Sequence, residues 1–205
     1  MSKRCNRKFA ISRRANVSLW GQVKDPYHKK NYPPGAHGLA GYKRQTEFGT
    51  QLLEKQKLKS YYGNIRESQF KSIFKKAKKI KGDTGENLVG LLESRLDAFV
   101  YRSKFTSSIF LARQLVSHKH ISVNGNIINI PSYFLNPNDR VEIKEKSRNL
   151  FIIRESNLKD DRTIPNYINI SQSGSLATFL KVPKFLNIPY PFQIELRYIV
   201  EFYSR

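Results

Sequence analysis

The sequence predicts an α+β fold preceded by a basic N-terminal extension, and three observations carry that prediction. Apolar residues recur at helical spacing between about residues 46 and 116. After residue 120 the period falls to two, and Asn124-Gly125 stands between two alternating segments as a hairpin signal. The positive charge is concentrated in the first part of the chain. Of 37 Lys+Arg and 16 Asp+Glu in 205 residues, 21 basic and 6 acidic side chains lie in residues 1–86. A formal net charge of +21 far exceeds what solubility needs and calls for a polyanionic partner.

The first 44 residues hold 11 basic side chains and a single acid, Asp25. A basic, acid-poor N-terminus is also the mark of an organelle transit peptide. The turn and aromatic signals Trp20-Gly21, Tyr32-Pro33-Pro34-Gly35 and His37-Gly38 favour instead a mature arm lying on nucleic acid. A membrane-surface segment fits less well, because the tract has no sustained apolar face.

From Thr46 to Tyr62 the pattern is helical, with Phe48, Leu52 and Leu53 near one face and Gly63 as the stop. Arg66 to Lys81 is a clearer helix. Phe70, Ile73, Phe74, Ala77 and Ile80 form one apolar stripe, and Lys71, Lys75, Lys76, Lys78 and Lys79 fill the remainder. A lysine-rich face is ordinarily just a solvated one. Here the same sign continues through the preceding 65 residues, which favours a phosphate-binding face. Asp83 and Glu86 have the spacing of a capping box at the start of the next helix, whose broad buried face is Leu88, Leu91, Leu92, Leu96 and Phe99.

Ser107 or Ser108 caps a further helix with Ile109, Ala112, Leu115 and Val116 inward and Arg113 outward. Beyond His118-Lys119-His120, strands are expected at Ile121–Val123, at Ile127–Ile130 and around Val141 and Ile143, with a turn at Asn136-Pro137-Asn138-Asp139. Tyr167–Ile170 and Leu176–Val182 read as two more strands around a Ser/Gly turn. Ile194 to Tyr203 suits either a strand or a helix.

No apolar run approaches the ~18 residues of a membrane span. The single cysteine, Cys5, excludes an internal disulfide framework and a multi-cysteine zinc site, and reads as a free thiol in a reducing compartment. The four histidines, His28, His37, His118 and His120, show no metal-ligand spacing. No cofactor is expected.

Several strings resemble one family, the small-subunit ribosomal protein S-four family. They are Pro34-Gly35-Ala36-His37-Gly38, Gln51 to Lys57, Lys81 to Leu88, Leu92-Glu93-Ser94-Arg95-Leu96-Asp97 with Val100-Tyr101-Arg102, Ala112 to Lys119 with Val123-Asn124-Gly125, and the closing Val200 to Arg205. They occur in family order along essentially the whole chain, and Pro189-Tyr190-Pro191 is similar to the alphaproteobacterial branch, to which mitochondrial versions also belong. The resemblance implies a basic extension over 1–45 and a helical domain over 46–92 completed by 190–205. It further implies an inserted αL-type RNA-binding domain over 93–189, with two helices and a small antiparallel sheet, its motif at about 93–150. It implies a structural protein of the small ribosomal subunit that binds ribosomal RNA directly, nucleates assembly of the five-prime domain and contributes to decoding accuracy. Its implied partners are small-subunit ribosomal RNA, ribosomal protein S-five, and messenger RNA where it enters the subunit.

RNA contacts are expected from Lys3, Arg4, Arg7, Lys8, Arg13, Arg14, Lys29, Lys30, His37, Lys43 and Arg44 in the arm. Gln51, Lys55, Lys57, Arg66, Lys71 and Lys75 follow on the helices, and Arg102, Arg113, Ser117, His118, Lys119 and Asn124 in the αL unit. The physics agrees with an RNA partner: A-form grooves discourage base reading, so shape, phosphates and two-prime hydroxyls dominate, and arginine also stacks on unpaired bases. The glycines beside Pro34 and His37 are expected to let backbone lie close to RNA. For single residues a bland role competes: Arg95 pairs with Glu93 or Asp97, and His120 is a half-buried strand residue. Two departures from the family matter. Ile109-Phe110-Leu111 stands where many relatives place an arginine, so one contact is expected to be missing. Some relatives bind zinc through an N-terminal cysteine cluster, which Cys5 alone does not allow, so the arm is expected to be ordered by RNA.

Two other functions compete. The αL module also accompanies pseudouridine synthases, and Arg95-Leu96-Asp97 is similar to their catalytic tripeptide; the leucine-rich helix around Asp97 and the lack of chain for a catalytic domain argue against an enzyme. A free RNA chaperone or regulatory RNA-binding protein built on the same module is the alternative.

Overall fold

The computed structural model describes residues 8–42, 44–151, 153, 162–172 and 174–204. Cys5 and the strand-to-strand residues 154–161 lie outside them. The chain divides into two compact units: the segment up to Ser72 with the segment from Tyr190 onward, and Ile73–Pro189.

In the first unit, α1 (Ala10–Ala15) ends at Asn16, whose left-handed backbone (φ 54°) accommodates the turn. Leu19 and Trp20 are buried, and the Trp20 indole N–H donates to the Tyr61 carbonyl at 3.2 Å. Asp25, also buried, accepts from the Ser18 hydroxyl and the Tyr27 N–H. The described part of the basic extension therefore makes protein contacts of its own. Gly38 has a local purpose as well: a Cβ there would sit 2.0 Å from the Pro33 carbonyl oxygen.

Helix α2 (Glu47–Tyr61) is capped by the Thr46 hydroxyl, which accepts the Gly49 N–H at 3.2 Å, and it stops at Gly63 with φ 74°. Its inner face differs from the expected one. Gln51, Glu54, Lys55 and Leu58 are buried, whereas Phe48 is half exposed. The reason is tertiary: the C-terminal helix (Leu196–Ser204) brings acceptors and rings to those polar side chains. Gln51 donates to Glu201 at 3.1 Å, and the Lys55 ammonium lies 4.1 Å from the centre of the Phe202 ring. That same packing settles the ambiguous last segment as a helix, with Ile199 fully buried.

Helix α3 (Glu67–Lys79) buries Phe70, Ile73, Phe74 and Ala77 as the stripe predicts, but Ile80 falls past its end and is 47% exposed. Asp83 caps α4 (Thr84–Glu93) by accepting the Glu86 N–H at 2.8 Å. The expected single helix through Phe99 is two. Arg95 takes extended backbone (ψ 141°) and bridges Phe134, and α5 (Leu96–Arg102) begins after it. The Leu96 N–H then donates to Tyr133 O and the Asp97 N–H to Pro131 O, so the break forms a short pairing with the 131–135 segment.

Ser108 caps α6 (Ile109–Ser117), and Ile109, Ala112, Leu115 and Val116 face inward. Five antiparallel strands follow: β1 (Ile121–Val123), β2 (Asn126–Ile127), β3 (Arg140–Ile143), β4 (Ile168–Ile170) and β5 (Leu176–Phe179), ordered β2-β1-β3-β5-β4. Asn124 and Gly125, both at positive φ (49° and 81°), make the hairpin turn. Strands β2 and β5 are shorter than expected, ending at Ile127 and Phe179. A short helix, α7 (Glu145–Arg148), follows β3. Phe179 anchors the core of this unit, meeting Phe99 at 5.9 Å and Tyr167 at 6.4 Å edge to face.

Candidate nucleic-acid interface

One group of exposed donors in the second unit is the corner between α6 and β1. Helix α6 ends at Ser117, and Lys119 turns the chain in left-handed backbone (φ 64°). His118 and Lys119 are thereby left exposed. The imidazoles of His118 and His120 lie nearly parallel, 6.3 Å apart and 11° from coplanar. The Nδ1 of His120 is 2.9 Å from the Ser147 hydroxyl. Burial, then the charges of His118 and Lys144, push the His120 pKa below its ordinary value of 6.5. At neutral pH this ring is therefore a neutral prop, while His118 beside it faces solvent.

A second surface is the outer face of α3. Lys71, Lys75, Lys78 and Lys79 are exposed opposite the apolar stripe, Lys76 reaches over the Phe134 ring at 5.1 Å, and Arg66 is exposed just before the helix. The third is the described part of the extension, where Arg14, Lys29, Lys30, His37 and Arg44 are exposed. Lys8 and Arg13 are more engaged. The Lys8 ammonium donates to Gln22 at 2.7 Å, and Arg13 donates to the carbonyls of Tyr32 and Pro33 with its guanidinium 4.7 Å from the Tyr32 ring. Lys3, Arg4, Arg7 and Lys43 lie outside the described residues.

Several expected contacts sit inside the protein instead. Gln51 is 1% exposed and held by Glu201; Lys55 is 6% exposed and ion-paired with Glu67 at 2.9 Å; the Lys57 side chain pairs with Glu54. Arg102 is 7% exposed. Its Nε and one terminal nitrogen grip the Glu93 carboxylate, its other terminal nitrogen donates to Pro189 O at 3.0 Å, and Glu93 also accepts from the Tyr167 hydroxyl. Gln51, Lys55 and Arg102 are thus buried, each engaged with a protein partner that would otherwise be stranded. Asn124 spends both ends of its amide on the protein, donating to Asp139 and accepting the Arg140 N–H. Ser117 is half-buried at the end of α6. Arg113 is intermediate: its Nε donates to Asp97 at 2.8 Å, and its side chain keeps 25% of its exposure.

Asp97 is fully buried. It accepts both Arg95 nitrogens (3.0 and 2.9 Å), Arg113 and the Ala98 N–H. This is a structural hub, and it contains the pairing of Arg95 with Asp97 that the sequence predicts as the alternative to an RNA contact. The sequence did not reveal that Lys144 and Ser147 meet His120 next to this corner, because that depends on which strands pair.

Residues 3–93 match the ribosomal protein S4/S9 N-terminal domain, and residues 94–141 match the S4 domain. Over all 205 residues and 100% of both chains, the protein is 49% identical to small ribosomal subunit protein uS4 of Rhizobium meliloti. It is 47% identical, with the same coverage, to the uS4 proteins of Pelagibacter ubique and Gluconacetobacter diazotrophicus. These relatives are alphaproteobacterial, as the segment around Tyr190 suggested. The chain belongs to the uS4 family of small ribosomal subunit proteins.

Proposed function

We propose that this chain is a structural, RNA-binding component of the small subunit of a bacterial-type ribosome. One observation carries the proposal: 47–49% identity to small ribosomal subunit proteins over the full 205 residues. The geometry agrees with it. Rigid elements present exposed lysine, arginine and histidine donors at the α6–β1 corner, on α3 and along the extension. Such donors suit the phosphates and two-prime hydroxyls of folded RNA. On this reading the protein binds small-subunit ribosomal RNA early, nucleates folding of its five-prime domain, and neighbours ribosomal protein S-five where messenger RNA enters, with an influence on decoding accuracy.

We assign it no catalytic role. The carboxylate that a pseudouridine synthase would need is Asp97, and its burial and four hydrogen bonds to protein groups support a structural role for it.

Competition binding tests the proposal. Labelled small-subunit ribosomal RNA is bound by the purified protein with excess transfer RNA present, at two salt concentrations. Binding that survives both supports a specific folded site. Binding that disappears under both favours a free RNA chaperone.

A further inference from the structure

Strands β1 and β3 pair with Ile121 opposite Ile143 and Val123 opposite Val141. In an antiparallel pair, the residues that enter one strand neighbour those that leave the other. The segment before β1 is His118-Lys119-His120, and the segment after β3 is Lys144-Glu145-Lys146-Ser147-Arg148. The two are joined by more than proximity. The Lys144 N–H donates to the His120 carbonyl at 3.0 Å. The Ser147 hydroxyl, on a residue only 5% exposed, meets His120 Nδ1 at 2.9 Å. Arg148 is exposed, and its Nε lies 3.4 Å from Ile143 O, near the end of β3.

We infer that α7 and the α6–β1 corner form one composite phosphate-binding surface, in which His120 and Ser147 are positioning residues that hold Lys144, Lys146 and Arg148 beside His118 and Lys119. The ligand is the sugar–phosphate backbone of folded RNA, and the inference rests on the function proposed above. The surface carries four permanent cations and one exposed acid, Glu145, so its field stays positive. His120 is suited to the prop because a neutral ring exchanges a hydrogen bond with Ser147 without adding repulsion among its cationic neighbours. Two segments fixed by a strand pair hold their charges at constant spacing, which a single mobile loop does not.

The test is filter binding of the full chain to a small-subunit ribosomal RNA transcript over a salt series, repeated with transfer RNA. Lys144→Gln/Lys146→Gln/Arg148→Gln is expected to reduce the log–log salt slope by roughly 0.7 to 0.9 for each phosphate contact removed. His118→Gln/Lys119→Gln provides the reference slope change for the corner. Ser147→Ala keeps every charge, so a merely structural role would leave the slope alone; a reduced slope with the chain still folded by circular dichroism supports positioning. A wild-type slope in the triple variant overturns the composite surface, and a wild-type slope in Ser147→Ala overturns the positioning role. If wild-type protein does not prefer ribosomal over transfer RNA, the ribosomal proposal fails, while the slope differences still decide whether α7 binds phosphate.

Discussion

The Arg113 Nε meets Asp97 Oδ2 at 2.8 Å, while Arg95, a near neighbour in sequence and fully buried, grips both oxygens of the same carboxylate. One acid thus holds two arginines, one inside and one at the surface. Taking two charges out of water is costly, and the arrangement survives only because every hydrogen-bonding site of Asp97 is used.

Asp97→Ala would leave the Arg95 guanidinium buried without its counter-charge. It is expected to cost about 3–5 kcal/mol of folding free energy, as removal of one partner of a buried pair does. Arg113→Gln, at a position already partly in solvent, should cost much less. Denaturant unfolding followed by circular dichroism separates the two, and equal small losses would refute the hub.

Arg102→Gln distinguishes a buried brace from an RNA contact. Glu93 would lose its counter-charge and the Pro189 carbonyl a donor, so stability should fall by about 3–5 kcal/mol. The salt slope of RNA binding should stay at the wild-type value below the unfolding range. A lowered slope with unchanged stability would return Arg102 to the RNA-binding surface.

Glu67 gives a pH prediction. Burial raises its pKa, but the Tyr203 hydroxyl and the hydrogen bond and charge of Lys55, with Lys59, outweigh that and set it below the ordinary value of 4.5. The unfolded state therefore takes up this proton first as pH falls. The stabilisation is present above the ordinary carboxylate value and is lost as pH drops through the lowered one. Because Glu67 is 46% exposed, the effect is modest. Glu67→Gln should be less stable than wild type at neutral pH, and the gap should close under acid. A constant gap between neutral and acidic pH would contradict the linkage.

Gly38→Ala should destabilise the extension by about 1–3 kcal/mol, since its Cβ would meet backbone rather than a yielding side chain. Gly35→Ala meets no atom within 4 Å, but it forces alanine to φ 117° and is strained for that different reason. Proteolysis of the 30–42 segment reads both. Wild-type protection in Gly38→Ala would show that the chain relaxes around the added methyl.

Local chemistry was legible wherever it alone decides the outcome. The caps at Asp83 and Ser108, the Asn124-Gly125 hairpin and the α3 stripe all follow from side chains within a few residues of each other. The errors share one cause, a distant partner. Arg95 breaks the expected long helix because Phe134 pairs with it, and α2 buries Gln51 and Lys55 because Glu201, Phe202 and Glu67 meet them there. Charge pointed to a polyanionic partner, but not to which cations the protein keeps for itself. Lys55 and Arg102 look in sequence like Lys71 and Lys119, and only burial separates them.

The docking of Trp20 against the Tyr61 carbonyl has an optical consequence. Trp20 is the only tryptophan in the chain, it is 6% exposed, and it belongs to the first unit. Selective tryptophan emission therefore reports on that unit alone, whereas the sheet signal in the far ultraviolet comes from the second. Following both through one denaturant titration needs no added label. Coincident midpoints would mean that the two units melt as a single cooperative body, and a red shift of the emission ahead of sheet loss would mean that the N-terminal segment opens first.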